Sequence, residues 1–129
     1  MIKTCDDSRI TYTEPTFSAP DPQKWGMWSV PFSDKGFADQ ICNDVVEKHL
    51  IPKSCYTNAD SGMCCFYLSH DDLTAQENII RYMILNGLIG ETVFGRLDNI
   101  PFQPVSQYAS RDILYLDHFI NLYSGEFII

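Results

Sequence analysis

The segment GMCCFYLSHDDLTAQENIIRYMILNGL at residues 62–88 decides the fold. Its opening, GMCCFYL, is a continuous apolar run that is typical of a β-strand buried on both faces. The remainder predicts a helix over 70–86, because Ser69 and Asp72 have the spacing of a capping box and apolar residues recur at helical intervals. Gly87 follows as the expected left-handed residue at the helix end. A buried strand that leads directly into a helix is therefore predicted here.

A second helix is predicted earlier in the chain, over residues 34–50. Apolar residues recur on one of its faces and acidic residues fall opposite. Ser33 or Asp34 supplies the N-cap, and the proline after the segment ends the helix, because the residue before a proline disfavours the helical region. Two strands are predicted ahead of this helix, at 9–17 and 26–32.

The rest of the chain is less regular. The stretch KSCYTNADSG at 53–62 is interpreted as a loop. Two short β-like pieces at 93–97 and 100–105 predict a hairpin across the Asp-Asn turn between them. Residues 111–123 have helical periodicity, whereas 126–129 favour a short terminal strand.

These elements alternate too irregularly for a doubly wound fold. The predicted class is α+β, with a mixed or antiparallel curved sheet and two or three helices packed on one face. A chain of 129 residues with 45% hydrophobic content is large enough for one core. A single domain over 1–129 is therefore expected.

The charge of the chain bears on its partners. Seventeen acidic residues against nine basic ones give a formal net charge of −8. Such a charge repels phosphate backbones and anionic membranes, so neither direct nucleic-acid binding nor membrane binding is expected. A protein partner with a basic surface is favoured by electrostatic steering. The alternative left open is that the charge serves only solubility.

The cysteines indicate a reducing compartment. Their number is odd and two are adjacent in an apolar run, which is not a disulfide framework. No stretch resembles a signal peptide, and a cytoplasmic location is predicted. Cysteine spacing also lacks a CxxC pair, so no metal and no cofactor are expected; the alternative is a zinc site formed by Cys55, Cys64 and Cys65 with His49. The cysteines are Cys5, Cys42, Cys55, Cys64 and Cys65.

Trp25 and Trp28 are the first candidate binding residues. Three positions apart on a strand, they point to opposite faces. One can lie in the core while the other stacks on a planar ligand or anchors a partner. The alternative is that both serve packing.

A second candidate group lies at the junction of the buried strand and its helix. His70 beside Asp71 and Asp72 offers a base and an orienting carboxylate, the pairing that general acid–base catalysis uses. The alternative is that both aspartates cap the helix and leave His70 merely exposed. Arg96 is the predicted cation of a phospho-ligand pocket that also includes Trp28 and His70.

Standard catalytic signatures are missing from the chain. Its glycines have neither dinucleotide nor P-loop spacing, and no GxSxG, HExxH or EF-hand pattern occurs. No catalytic residue is assigned, and the balance favours a protein that is not an enzyme.

One family resemblance is visible in the middle of the chain. KWGMWSVPF at 24–32, MCCFYL at 63–68 and HDDLTAQENIIRYMILNGLI at 70–89 resemble, in order and pattern, small domains described as phosphothreonine-lyase-like. The resemblance covers roughly residues 24–105 and implies a fold similar to that of cap-binding translation initiation factors. Phosphothreonine lyases use a lysine base, a histidine acid and clustered arginines, whereas the arginines here are scattered. No catalytic residue carries over.

Two functions are therefore predicted as alternatives. The first is a small acidic protein-binding module, an inhibitor or adaptor of the phage, immunity or anti-defence kind, which occupies a basic surface of its partner. The second is a small-molecule or phospho-ligand-binding domain, with or without catalysis, whose pocket lies on the concave face of the sheet.

Overall fold

The computed structural model describes residues 1–18, 21–105 and 113–128. Its centre is a seven-stranded antiparallel sheet with the strand order β1-β2-β4-β5-β3-β6-β7, which confirms the α+β class. The strands are β1 Ile2–Cys5, β2 Arg9–Thr13, β3 Trp25–Phe32, β4 Lys53–Thr57, β5 Gly62–Ser69, β6 Pro101–Pro104 and β7 Leu114–Tyr115. The helices are α1 Lys35–Glu47, α2 Leu73–Leu85 and a short 3-10 helix at Leu116–His118.

Both α-helices pack on the same face of the sheet. On the α1 side, the hydroxyls of Tyr12 and Tyr56 donate to one carboxylate oxygen of Asp39, at 2.6 and 2.7 Å. On the α2 side, the indole N–H of Trp28 donates to the side-chain oxygen of Gln76 at 2.8 Å. Residues at alternate strand positions meet the helices in one apolar core, and the other strand positions point to the opposite face.

The two predicted helices are present, with small shifts at their ends. Asp34 caps α1 by accepting from the backbone N–H of Phe37, so the choice between Ser33 and Asp34 is resolved. Asp72 is itself the N-cap of α2 and accepts from the N–H of Ala75, so the helix begins later than the predicted capping box requires. Gly87 has a φ of 64°, the left-handed conformation predicted for the helix end.

Three parts of the prediction were wrong. The supposed loop at 53–62 contains β4, which pairs with both β2 and β5 in the middle of the sheet. No hairpin joins 93–97 to 100–105, because β6 pairs with β3 and β7 instead. Each segment also pairs with a strand that is distant in sequence, β4 with β2 and β6 with β3, so local turn residues gave a misleading signal.

The predicted C-terminal helix over 111–123 is also absent from the residues that the structure describes there. Its place is taken by β7, the 3-10 helix and a β-bridge between Ile120 and Phe127. Residues 111, 112 and 129 lie outside the described residues. Within the described ranges, no helix has both the length and the apolar composition that crossing a bilayer requires.

Candidate functional site

The face of the sheet opposite the helices, called the open face below, carries a cavity of about 470 Å³. Strand alternation brings Cys55 and Cys65 side by side there, because these residues are paired across β4 and β5. Ser29 of β3 is paired with Cys65 and continues the same row. Arg9 and Tyr67 also line the cavity.

The two thiols form a hydrogen-bonded cluster with their neighbours. The Tyr67 hydroxyl lies 3.3 Å from the Cys55 sulfur. The Ser29 hydroxyl lies 3.5 Å from the sulfur of Cys65. Cys55 and Cys65 are directly paired across β4 and β5, and each thiol has a hydroxyl partner although Cys55 is only 4% exposed. The cluster is therefore a buried polar network at the base of the cavity.

This network makes Cys55 acidic. The hydrogen bond from Cys65 lowers the pKa of the Cys55 thiol to about 6, with further help from Tyr67 and from the positive charges of Arg9 and Lys53. Burial acts in the opposite direction and is outweighed. The pKa of Cys65 is raised, because its proton is held in the hydrogen bond to Cys55 and because the thiol is buried. The two shifts together favour the thiolate on Cys55 and the thiol on Cys65.

Two cations of the open face, Arg9 and Lys53, have no ion-pair partner in the part of the chain that the structure describes. In residues 1–18, 21–105 and 113–128, no carboxylate oxygen lies within 4.0 Å of the charged nitrogens of Arg9 or Lys53. Asp6 accepts from the backbone N–H of Arg9 at 2.8 Å. This hydrogen bond and the positive charge of Arg9 both lower the pKa of Asp6. The ammonium of Lys53 lies 4.9 Å from the ring centroid of Tyr67.

Aromatic rings close one end of the open face. Trp25 lies between Phe17, at a centroid distance of 5.7 Å, and Tyr67, at 5.9 Å. Because Trp25 is buried by these rings, its face is not free to stack on a ligand. The predicted placement of Trp25 and Trp28 on opposite faces is confirmed, and the alternative that both serve packing describes both side chains.

Trp28 does not contribute to a ligand site. Its side chain is fully buried under the helices, in contact with Phe102 and Phe119. The pocket that was predicted around Trp28, His70 and Arg96 therefore does not include Trp28. The lining of the open-face cavity contains none of the three.

The junction residues are explained by local structure. Asp71 forms an ion pair with Lys24 at 3.0 Å, and Asp72 caps α2. The backbone N–H of His70 donates to the carbonyl of Lys24, while its ring is half-buried. Arg96 is half-buried in the turn after Thr92, whose N–H donates to the Arg96 carbonyl. The structure does not bring these four candidates together with the thiol cluster.

The residues of the alternative zinc site, Cys55, Cys64, Cys65 and His49, are separated in space. Cys64 points into the helix-side core while Cys55 and Cys65 face the opposite way. His49 contacts Glu14 at 3.1 Å. Among the described residues, no three or more His, Cys, Asp or Glu side chains are arranged to hold a metal ion.

Sequence reasoning missed Arg9, Cys55, Cys65 and Tyr67 as site residues. The available signal was the alternation in KSCYT, where Lys53 and Cys55 take one face and Ser54 and Tyr56 the other. Recognition of that segment as a strand would have placed one cysteine beside another. It would not have identified β2, which supplies Arg9, as the neighbour on the other side.

Comparisons with protein-family models, with curated proteins and with solved structures find no match for this chain. The resemblance to phosphothreonine-lyase-like domains therefore stays a prediction.

Proposed function

We propose that the open face binds a small anionic ligand, a phosphate ester or a carboxylate with an apolar portion. The observation that carries this proposal is the position of Arg9 and Lys53. Both are cations without ion-pair partners among the described residues, in a protein whose net charge is −8. Arg9 lines the cavity, and the ammonium of Lys53 lies over the ring of Tyr67, which also lines it. The proposed site corresponds to the predicted phospho-ligand alternative, with Arg9 and Lys53 in place of Trp28, His70 and Arg96.

The polar partners of the other basic side chains support this assignment. Lys3, Lys24, Lys48 and Arg81 each have a carboxylate oxygen within 3.3 Å or less. Lys35 donates to the side-chain oxygen of Asn58. A ligand anion near any of these must compete with an existing partner, whereas at Arg9 it gains a charge-assisted hydrogen bond without such competition.

The cavity also accepts an apolar group. Met27 and Met63 line it from β3 and β5, and Pro104 with Val105 closes the side next to β6. Ser8, Thr57 and Arg9 form the polar side. The cavity therefore offers both an apolar side and a polar side to a ligand.

The test is calorimetric titration with phenyl phosphate, benzoate and inorganic phosphate, with benzyl alcohol as the neutral counterpart. The anions are expected to bind and benzyl alcohol is not. Arg9→Gln is expected to weaken binding by about tenfold or more, the worth of one charge-assisted hydrogen bond. Arg96→Gln is the matched control, because Arg96 also lacks a carboxylate within 4.0 Å in the described residues but lies outside the cavity. Equal affinity in the two variants would contradict the proposal.

A second candidate is the acidic protein-binding module, which one surface feature favours. The turn between Glu91 and Leu97, which form a β-bridge, exposes Val93 at 95% and Phe94 at 82%. Glu91 and Asp98 on either side are exposed carboxylates. An apolar tip flanked by negative charge suits a partner protein that has an apolar pocket with a basic rim.

This second candidate is tested by affinity purification from a host lysate at low and at high salt. A partner is expected to be retained at low salt, to dissociate at high salt and to be lost with Phe94→Ser. Phe37→Ser is the control, because Phe37 is an exposed aromatic residue on α1. A partner retained equally by both variants would contradict docking through the 91–97 turn.

A further inference from the structure

The five cysteines fall into three environments. Cys5 is exposed, at the end of β1. Cys42 and Cys64 are buried against each other on the helix side, where the contact with Cys64 and burial raise the pKa of Cys42. Cys55 and Cys65 face the open-face cavity. Only this last pair combines two adjacent thiols with access to a ligand-sized space.

The backbone places Cys55 and Cys65 at directly opposite positions of two antiparallel strands. Such residues have Cα atoms about 4.5–5.5 Å apart, which lies inside the range that a disulfide requires. Both thiols are free in this structure. A bond between their sulfurs therefore requires no change in the register of β4 and β5.

We propose that Cys55 and Cys65 form a peroxide-reactive dithiol, in which Cys55 is the nucleophile and Cys65 is the resolving thiol. The geometry assigns the roles: the Tyr67 hydroxyl lies 3.3 Å from the Cys55 sulfur, and Arg9 and Lys53 place positive charge near it. Thiolate, not thiol, is the reactive form.

The reaction proceeds in two balanced steps. The Cys55 thiolate attacks the terminal oxygen of a hydroperoxide ROOH; the O–O bond breaks, a sulfenic acid forms on Cys55, and RO⁻ leaves and takes a proton from water. The Cys65 sulfur then attacks the Cys55 sulfur. The S–O bond breaks, and the hydroxyl departs with the Cys65 proton as water. The two thiols together lose two electrons, and these reduce ROOH to ROH and water.

The position of Cys55 limits the oxidant by size. Its sulfur lies at the base of the cavity with 4% of the residue exposed. A small hydroperoxide can approach it, whereas a bulky disulfide meets the cavity wall first. This reaction does not depend on the anionic ligand, so failure of either proposal leaves the other standing.

The test treats Cys5→Ser protein with hydrogen peroxide and follows the intact mass. A loss of about 2 Da is expected, with peptide mapping that joins Cys55 to Cys65 and with reversal by dithiothreitol. In Cys65→Ser, the product is instead a sulfenic acid on Cys55, a gain of about 16 Da that dimedone traps. Cys55→Ser is expected to give neither product.

Circular dichroism monitors the folding of each variant. The peptide map of Cys5→Ser protein decides the outcome even if the second substitution, at Cys55 or Cys65, impairs folding. A bond between Cys42 and Cys64, or a bond between two molecules, would overturn the proposal. So would an unchanged mass at a peroxide concentration that oxidises Cys5 in the wild-type chain. Ser61→Ala, at an exposed position that does not line the cavity, is the control and is expected to form the same bond.

Discussion

The Cys55 sulfur lies among side chains from three strands: Cys65 and Tyr67 of β5, Arg9 of β2 and its own neighbour Lys53 of β4. Each favours the thiolate, two by hydrogen bonding and two by charge. Burial alone would raise a thiol pKa, so the direction of the shift depends on these contacts. The acidity of this residue is thus a property of the open face.

The pH dependence of Cys55 alkylation tests that conclusion. In Cys5→Ser protein, the rate of modification by iodoacetamide is expected to rise through a pH of about 6 and then to level off. Cys65→Ala removes a donor to the thiolate and shifts the profile to higher pH, whereas Cys65→Ser keeps a hydroxyl donor and shifts it less. Peptide mass spectrometry measures the rate. Coincident profiles for the three proteins would show that Cys65 does not set the pKa.

At the scale of elements, single side chains fix how the helices begin and how they attach to the sheet. Asp72 caps α2, while the adjacent Asp71 makes only an exposed ion pair with Lys24. Asp39 of α1 accepts from tyrosines of β2 and β4 and forms an ion pair with Lys3 of β1 at 3.3 Å. One carboxylate on α1 therefore joins three strands.

The two aspartates before α2 are expected to differ in their effect on stability. Asp72→Ala removes the N-cap and is expected to lower the free energy of unfolding by about 1 kcal/mol. Asp71→Ala, the matched control, is expected to leave the free energy of unfolding almost unchanged, because it removes only an exposed ion pair. Urea denaturation measures both. Equal losses would mean that the cap hydrogen bond contributes no more than the surface charge.

Asp39 is expected to make the fold sensitive to acid. Partial burial opposes its ionisation, but hydrogen bonds from Tyr12 and Tyr56 and the charge of Lys3 prevail and hold its pKa below 3.8. Because the folded-state pKa is lowered, the stabilisation is complete above pH 3.8 and is lost as the pH falls through the folded value. Asp39→Asn is expected to lower the free energy of unfolding at pH 7 by about 1–2 kcal/mol.

The measurement is urea denaturation of wild type and Asp39→Asn from neutral pH to below pH 3.8. The difference in free energy of unfolding between the two proteins should shrink with acidification, because only the wild type has a carboxylate at position 39 that becomes protonated. A constant difference across this range would show that the loss comes from packing.

At the scale of the whole molecule, the sheet separates two environments. The helix side contains the main core, and the open face contains the thiols, Arg9 and Lys53. Acidic side chains on the helices and loops dominate the net charge of −8. Self-repulsion among these charges opposes the compact state, and salt screens it.

The melting temperature at pH 7 is therefore expected to rise when sodium chloride increases from about 20 mM to about 200 mM. At a pH where the protein is close to neutral, the increase should disappear. Differential scanning calorimetry at two pH values measures both effects. A melting temperature that falls with salt at pH 7 would mean that the five surface ion pairs outweigh the repulsion.

The elements predicted well are those whose signals are local. The helix near 70–86 is marked by periodicity and by the Asn-Gly pair at its end, and α2 with Gly87 follows that pattern. The strand β4 was missed because KSCYT between a proline and a run of turn residues has weak local signals. Its stability comes from pairing on both sides, with β2 and β5.

The sequence by itself determined the fold class, both helices, the buried strand between them, and the opposite orientation of Trp25 and Trp28. These depend on residue spacing, and the periods of helix and strand convert spacing directly into faces. Only the tertiary structure decided that Cys55 meets Cys65 and that Arg9 stands beside the same cavity. The physical reason is that strand order and register bring together residues from three separate segments, and hydrogen-bond pairing between strands sets both.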